Sequence, residues 1–199
     1  IAGGAAVGAG AWIGVPVGFA LLGLVAGAVW ALAARLKHRL AFYAFFCMAA
    51  ALALYGIRDM FGIVVLVWVI GVVIASDVMG YFAGRVFGGP KFWPKVSPKK
   101  TWSGTVAGWG GAALLGWVLN AKLLAGGLDL PISLVLFSVI LAFAAQMGDI
   151  VESALKRKAG IKDSSSLIPG HGGVLDRFDG MIGAALVFFP VLFVAGLMG

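Results

Sequence analysis

The stretch MFGIVVLVWVIGVVIASDVMGYFAGRVF, residues 60–87, contains one acid, Asp77, and one base, Arg85. Its apolar part is as long as the ~20 residues a helix needs to cross a bilayer core, so it reads as a transmembrane span. A carboxylate in hydrocarbon costs at least a few kcal/mol and therefore faces a partner, a cation or a water-filled cavity. Asp77 is on that ground a candidate site residue, and Tyr81 follows it one turn later on the same face.

The rest of the chain repeats the pattern. Of 199 residues 62% are hydrophobic and only 12% charged, and the mean hydropathy is +1.06. So little charge cannot cover a soluble domain. Apolar runs fall at roughly 11–34, 41–57, 60–87, 101–124, 131–155 and 175–198. The fold expected is therefore all-α, a polytopic integral membrane helix bundle of about six spans forming one catalytic domain over the whole chain. The second run is short, and Asp59 after it reads as a solvated turn residue, like Asp129. Thirty-one glycines are spread through the apolar runs, as suits closely packed membrane helices. The chain starts at Ile1 without a basic n-region, which predicts no signal peptide here and further spans upstream. The lone Cys47 excludes a disulfide framework and reads as inert packing.

Basic residues set the orientation. Arg35, Lys37 and Arg39, then Arg85, Lys91, Lys95, Lys99 and Lys100, then Lys156, Arg157, Lys158, Lys162 and Arg177 lie in alternate loops. Those loops face the cytoplasm. The net charge of +7 is thus a topology signal that also favours anionic lipids and polyphosphates. Nucleic acid is not an expected partner, because the basic residues sit in short loops between spans. Gly104-x-x-x-Gly108 reads as a helix-packing face. Gly108-x-Gly110-x-x-Ala113 lies in an apolar helix with no strand before it, so it is not a dinucleotide fingerprint, and no P-loop occurs.

Only eight acids are present, and six gather in or beside the cytoplasmic halves of the third, fifth and sixth spans. These are Asp77, Asp149, Glu152, Asp163, Asp176 and Asp179. Gln146, Asp149, Glu152, Ser153 and Lys156 recur at spacings of three and four, one polar stripe on an otherwise apolar helix. Asp176 and Asp179 repeat the i, i+3 arrangement at the start of the last span. Any one acid could serve an ion pair that holds helices in register. Carboxylates converging from three helices make a site for a hard cation such as Mg²⁺, with room for a second.

Between the fifth and sixth spans the chain turns basic and glycine-rich. Lys156, Arg157, Lys162 and Arg177 supply charge for phosphate oxygens, and Ser153 and Ser165 supply hydroxyl donors. Gly172 and Gly173 can expose backbone N–H groups at a helix N-terminus, a favourable place for anions. His171 stands beside them. The loop Ser97-Pro98-Lys99-Lys100-Thr101-Trp102-Ser103-Gly104 repeats this chemistry before the fourth span. The site is accordingly expected in two segments, 75–104 and 146–180.

The run S-x-L-K-R-x4-K-D-x-S-x2-I-P-x-H-G-G-V-x-D-R-F-D, Ser153 to Asp179, resembles the signature of the phosphatidate cytidylyltransferase (CDP-diacylglycerol synthase) family. Ser76-Asp77…Tyr81-Phe82-x-Gly84-Arg85 and Ser97-Pro98-Lys99-Lys100-Thr101-Trp102-x-Gly104 resemble two further blocks of it. Val78-Met79-Gly80 departs from the Thr/Ser-Gly-Ala type of stretch expected in the first. The resemblance implies Mg²⁺-dependent transfer of a cytidylyl group from CTP to phosphatidic acid, in a bacterial inner membrane with the site towards the cytoplasm. It implies metal binding by Asp77, Asp149, Asp176 and Asp179. It gives catalytic roles to Asp149, Lys156, Arg157, Asp176 and Asp179. Substrate contacts fall to Arg85, Ser97, Lys99, Lys100, Ser153 and Lys162, and to Ser165, His171, Gly172, Gly173 and Arg177. A homodimer is compatible with it. A CTP-dependent lipid kinase, a cytidylyltransferase for another lipid, and an ion or phosphate transporter are the alternatives.

Overall fold

The computed structural model describes residues 23, 24, 27, 28, 30, 31, 37–125, 132–161 and 175–194. The chain divides into two compact units, Ile1–Leu52 and Ala53–Gly199. Most of the first expected span lies outside the described residues.

Helix α1 runs Lys37–Phe61 and α2 runs Ile63–Val86. A hairpin follows, with β1 at Lys91–Trp93 and β2 at Ser97–Thr101. Then come α3 at Trp102–Ala125, α4 at Leu134–Ala159 and α5 at Leu175–Val194. The helical membrane bundle expected from hydropathy is what forms. By length and composition, Tyr43–Phe61, Ile63–Val86 and Leu134–Ala159 can each cross a membrane, and Phe178–Phe188 is a shorter apolar helix.

Two local features differ from the sequence reading. The second apolar run does not stop at 57, because α1 continues through Arg58 and Asp59 to Phe61. Asp59 is therefore helical and not a turn residue. The break falls one step later at Gly62, whose φ of 84° suits glycine and whose N–H bonds back to the Arg58 carbonyl at 3.0 Å. The second difference is the hairpin, in a segment read only as a basic loop. Lys91 pairs with Thr101 and Trp93 with Ser97, antiparallel. Pro94 sits second in the tight turn closed by Val96 N–H to Trp93 O at 3.1 Å, a position its fixed φ favours. Phe92 then stacks obliquely on Trp102, centroids 4.6 Å apart.

The core lies between α2, α4 and α5. Trp68, Phe137 and Phe188 are fully buried, with ring centroids 5.4–6.4 Å apart. Such aromatic contacts add to the burial of large apolar area. The Trp68 indole donates to Ser138 Oγ at 3.1 Å, and that hydroxyl donates to the Leu134 carbonyl at 2.8 Å, so the polar ends buried here are satisfied. Outward positions such as Val64, Val67 and Ile74 on α2, and Leu114, Trp117 and Val118 on α3, are exposed and apolar, as a lipid-facing surface requires. The expected Gly104-x-x-x-Gly108 face meets α2 closely: a Cβ on Gly104 would lie 2.5 Å from the Gly80 carbonyl oxygen. The backbones of α2 and α3 touch there because neither residue has a side chain.

Candidate active site

Helix α4 carries the polar stripe, and both its ends are fixed by local chemistry. Ser133 caps the start, its side chain accepting from Leu136 N–H at 3.2 Å. The helix closes at Gly160, in the left-handed conformation with φ 73°, where Ile161 N–H reaches the Lys156 carbonyl at 3.0 Å. Lys156, Arg157 and Lys158 occupy its last turn, where positive charge complements the helix dipole. Arg157 is exposed there.

Lys156 is committed to carboxylates. Its Nζ lies 2.6 Å from Asp176 Oδ1 and 3.5 Å from Glu152 Oε1, and thereby ties α4 to the first turn of α5. The side chains of Lys156, Glu152 and Asp176 are 15%, 3% and 10% exposed. A buried charge is tolerated only when paired, which is why the lysine must sit between them. The buried Glu152 carboxylate also interacts with Asp176 and Asp179. Asp179, one turn into α5, accepts from Gly180 N–H at 2.7 Å and interacts with Asp149 and Glu152. Ser153 Oγ donates to Asp149 Oδ1 at 3.2 Å.

The second half of the site is brought by the hairpin. Thr101, at the junction of β2 and α3, caps α3: its hydroxyl accepts from Gly104 N–H at 3.2 Å. Ser103 Oγ donates to the Gly88 carbonyl, and Trp102 N–H to the Pro90 carbonyl at 3.0 Å, which fixes how the hairpin leaves the helix. Lys100 is thereby directed at α4, where its Nζ lies 2.6 Å from Asp149 Oδ2 and 3.2 Å from the Gln146 carbonyl oxygen.

A cavity of about 420 Å³ opens beside this pair. Asp77, Tyr81 and Arg85 line it from α2, and Lys99, Lys100 and Thr105 from the hairpin and α3. The Arg85 guanidinium donates to the Tyr81 hydroxyl at 2.9 Å. Asp77 interacts electrostatically with Lys100 and Asp149. Ser97 sits half-buried on β2 opposite Trp93.

The structure thus gathers Asp77, Arg85, Lys99, Lys100 and Asp149 on one side and Lys156, Asp176 and Asp179 on the other, with Ser153 between. Lys162, Ser165, His171, Gly172 and Gly173, with Asp163, lie outside the described residues, as does the side chain of Arg177. Sequence reasoning left Glu152, Ser76, Thr101, Thr105 and Trp109 out of the site. Glu152 carried a signal in its place in the α4 stripe, and Ser76 and Thr101 in the two further blocks of the resemblance; Thr105 and Trp109 carried none.

Carboxylate oxygens are the ligands hard divalent cations take. Asp149, Glu152, Asp176 and Asp179 all offer carboxylate oxygens. The donor set fits Mg²⁺ in kind. Among the described residues, however, no group of three or more His, Cys, Asp or Glu side chains is gathered to hold a metal, and the Lys156 and Lys100 ammonium groups stand against Asp176 and Asp149.

Residues 6–195 match the model of the Cytidylyltransferase family, and the chain belongs to that family. It is similar to the phosphatidate cytidylyltransferase of Brucella abortus biovar 1 (strain 9-941), 45% identical over 150 residues, which are 74% of this chain and 53% of the relative. That of Helicobacter pylori (strain ATCC 700392 / 26695) is 43% identical over 141 residues, 71% of this chain and 52% of the relative. That of Haemophilus influenzae (strain Rd) is 41% identical over 135 residues, 66% and 46% respectively. The chain spans about half the length of the curated relatives it matches.

Proposed function

We propose that the chain carries the site for cytidylyl transfer from CTP to phosphatidic acid, giving CDP-diacylglycerol and pyrophosphate. The observation that carries this reading is the pair of lysine–carboxylate contacts, Lys100–Asp149 and Lys156–Asp176, standing seven residues apart along one membrane helix beside a cationic cavity. Family membership and relatives named for that activity support it.

In the reaction a monoester oxygen of the lipid phosphate attacks the α-phosphorus of CTP. A new P–O bond forms, the bridging α–β P–O bond breaks, and pyrophosphate leaves with the bonding electrons. Such a step depends on positioning and charge neutralisation. Arg85, Lys99 and Lys100 receive the lipid phosphate or steady pyrophosphate in the cavity. Lys156, Arg157 and Lys162 contact the triphosphate, with the Gly172-Gly173 backbone. Asp149, Asp176 and Asp179, with Asp77, would hold Mg²⁺, which supplies charge neutralisation at the phosphates. The lysines now seated on Asp149 and Asp176 would then turn to phosphate oxygens. The bilayer supplies the lipid sideways between helices. A bacterial inner membrane with the site facing the cytoplasm agrees with the alternating basic loops and with the bacterial relatives.

The test is to offer CTP labelled at the α- or the γ-phosphate to the protein in vesicles containing phosphatidic acid. Label from the α-position should enter the lipid. Label entering only from the γ-position would make the enzyme a kinase, and flux across sealed vesicles without CTP consumption would make it a transporter.

A further inference from the structure

The side-chain amide of Gln146 is buried and bonded on both of its ends. Its Oε1 accepts from the Trp109 indole N–H at 3.0 Å. Its Nε2 donates to Ser76 Oγ at 3.3 Å and to the Thr105 carbonyl at 3.2 Å. Three helices, α2, α3 and α4, therefore meet on one amide. The surface of α3 is hollowed to admit it. A Cβ on Gly108 would lie 2.7 Å from Nε2 and 2.9 Å from the Ser76 carbonyl oxygen, so any larger residue would push the amide out of place.

Two of the amide's three bonds, to Ser76 and Thr105, run to segments that carry charged groups of the cavity. Ser76 precedes Asp77. Thr105 follows Lys100 by little more than a turn and donates to the carbonyl of Thr101 at 3.0 Å. Asp149 stands one turn beyond Gln146 on α4, and the Gln146 backbone carbonyl itself accepts from Lys100 Nζ. A buried polar network that is fully satisfied fixes one arrangement, because any shift of its members leaves a desolvated donor or acceptor unpaired.

We infer that Gln146 is a positioning residue: its amide, held by Trp109 and Ser76 in the space left by Gly108, sets the spacing of Asp77, Lys100 and Asp149. This rests on the reading of Lys100 and Asp149 as site residues. Gln146 borders the cavity, but its amide is taken up by Trp109, Ser76 and Thr105. It acts by holding the hairpin lysine and the α4 carboxylate at the separation the transferring phosphate requires, and a misplacement of about 1 Å in such a site costs up to about a hundredfold in rate.

Gln146→Leu keeps the volume and removes the three bonds, while Trp109→Phe removes one donor. Both are assayed as purified protein in phosphatidic-acid vesicles with α-labelled CTP, beside wild type and Asp149→Asn, with thermal midpoints measured separately. Gln146→Leu should lower kcat by about ten- to a hundredfold with KM for CTP within about threefold of wild type. Trp109→Phe should lower kcat by about three- to tenfold, again with KM kept. A merely structural role predicts lower thermal midpoints with kcat intact, and that result would overturn the inference. So would a loss confined to KM. If Gln146→Leu fails to insert, Trp109→Phe decides by the same criteria. Full turnover in Asp149→Asn would instead sink the reading of the site. Lost turnover there with unchanged kcat in both network variants sinks the positioning role alone.

Discussion

Lys100 Nζ lies 2.6 Å from Asp149 Oδ2, so a hairpin lysine and an α4 carboxylate from a distant part of the chain share one ion pair. The side chains are 24% and 33% exposed, and at that exposure the pair contributes about 1 kcal/mol or less to stability. Its place at the cavity wall is better explained by function. Lys100→Met should lower cytidylyl transfer by about a hundredfold or more and move the thermal midpoint little. Asp149→Asn should abolish turnover while leaving membrane insertion intact; label transfer and membrane fractionation check both.

Lys156 presents the opposite balance. It lies between Glu152 and Asp176 with all three side chains at least 85% buried. Removing one partner of a buried ion pair strands the others, at about 3–5 kcal/mol. Lys156→Met should therefore lose both activity and stability. Adding Glu152→Gln, which discharges one stranded carboxylate, should recover part of the thermal midpoint and none of the turnover.

The contact between α2 and α3 gives a matched pair. Gly104→Ala places a methyl against the Gly80 carbonyl oxygen and should destabilise by about 1–3 kcal/mol, the usual cost of overpacking. Gly110→Ala, on the same helix with nothing within 4 Å of the added carbon, should be neutral or slightly stabilising through helix propensity. Denaturation midpoints in one detergent compare them directly.

Chelation tests the acidic half of the site. If Asp149, Asp176 and Asp179 hold a divalent cation, EDTA should stop label transfer and added Mg²⁺ should restore it. Circular dichroism should show unchanged helix throughout, since the bundle is built from apolar packing. Persistent turnover after exhaustive chelation would remove the metal from the mechanism.

Hydropathy made the helices legible because bilayer thickness sets one length for every span. The α4 stripe was legible for a similar reason, since spacings of three and four bring Gln146, Asp149, Glu152, Ser153 and Lys156 to one face whatever surrounds them. The end of α1 was misplaced because charged Arg58 and Asp59 look like a loop. The backbone there is decided by Gly62, with its positive φ. The hairpin was missed because three- and five-residue strands carry too little alternation to register.

What the sequence determined by itself is what depends on neighbours along the chain: membrane helices, the spacing of acids on each face, the basic loops. Partner choice was decided only in three dimensions. Nothing local says that Lys100 meets Asp149, that Lys156 meets Asp176, or that Trp109 and Ser76 converge on Gln146. Those contacts join residues far apart in the chain, and they depend on close backbone approach, at Gly80, Gly104 and Gly108 where α2, α3 and α4 meet and at Gly148 and Gly183 between α4 and α5.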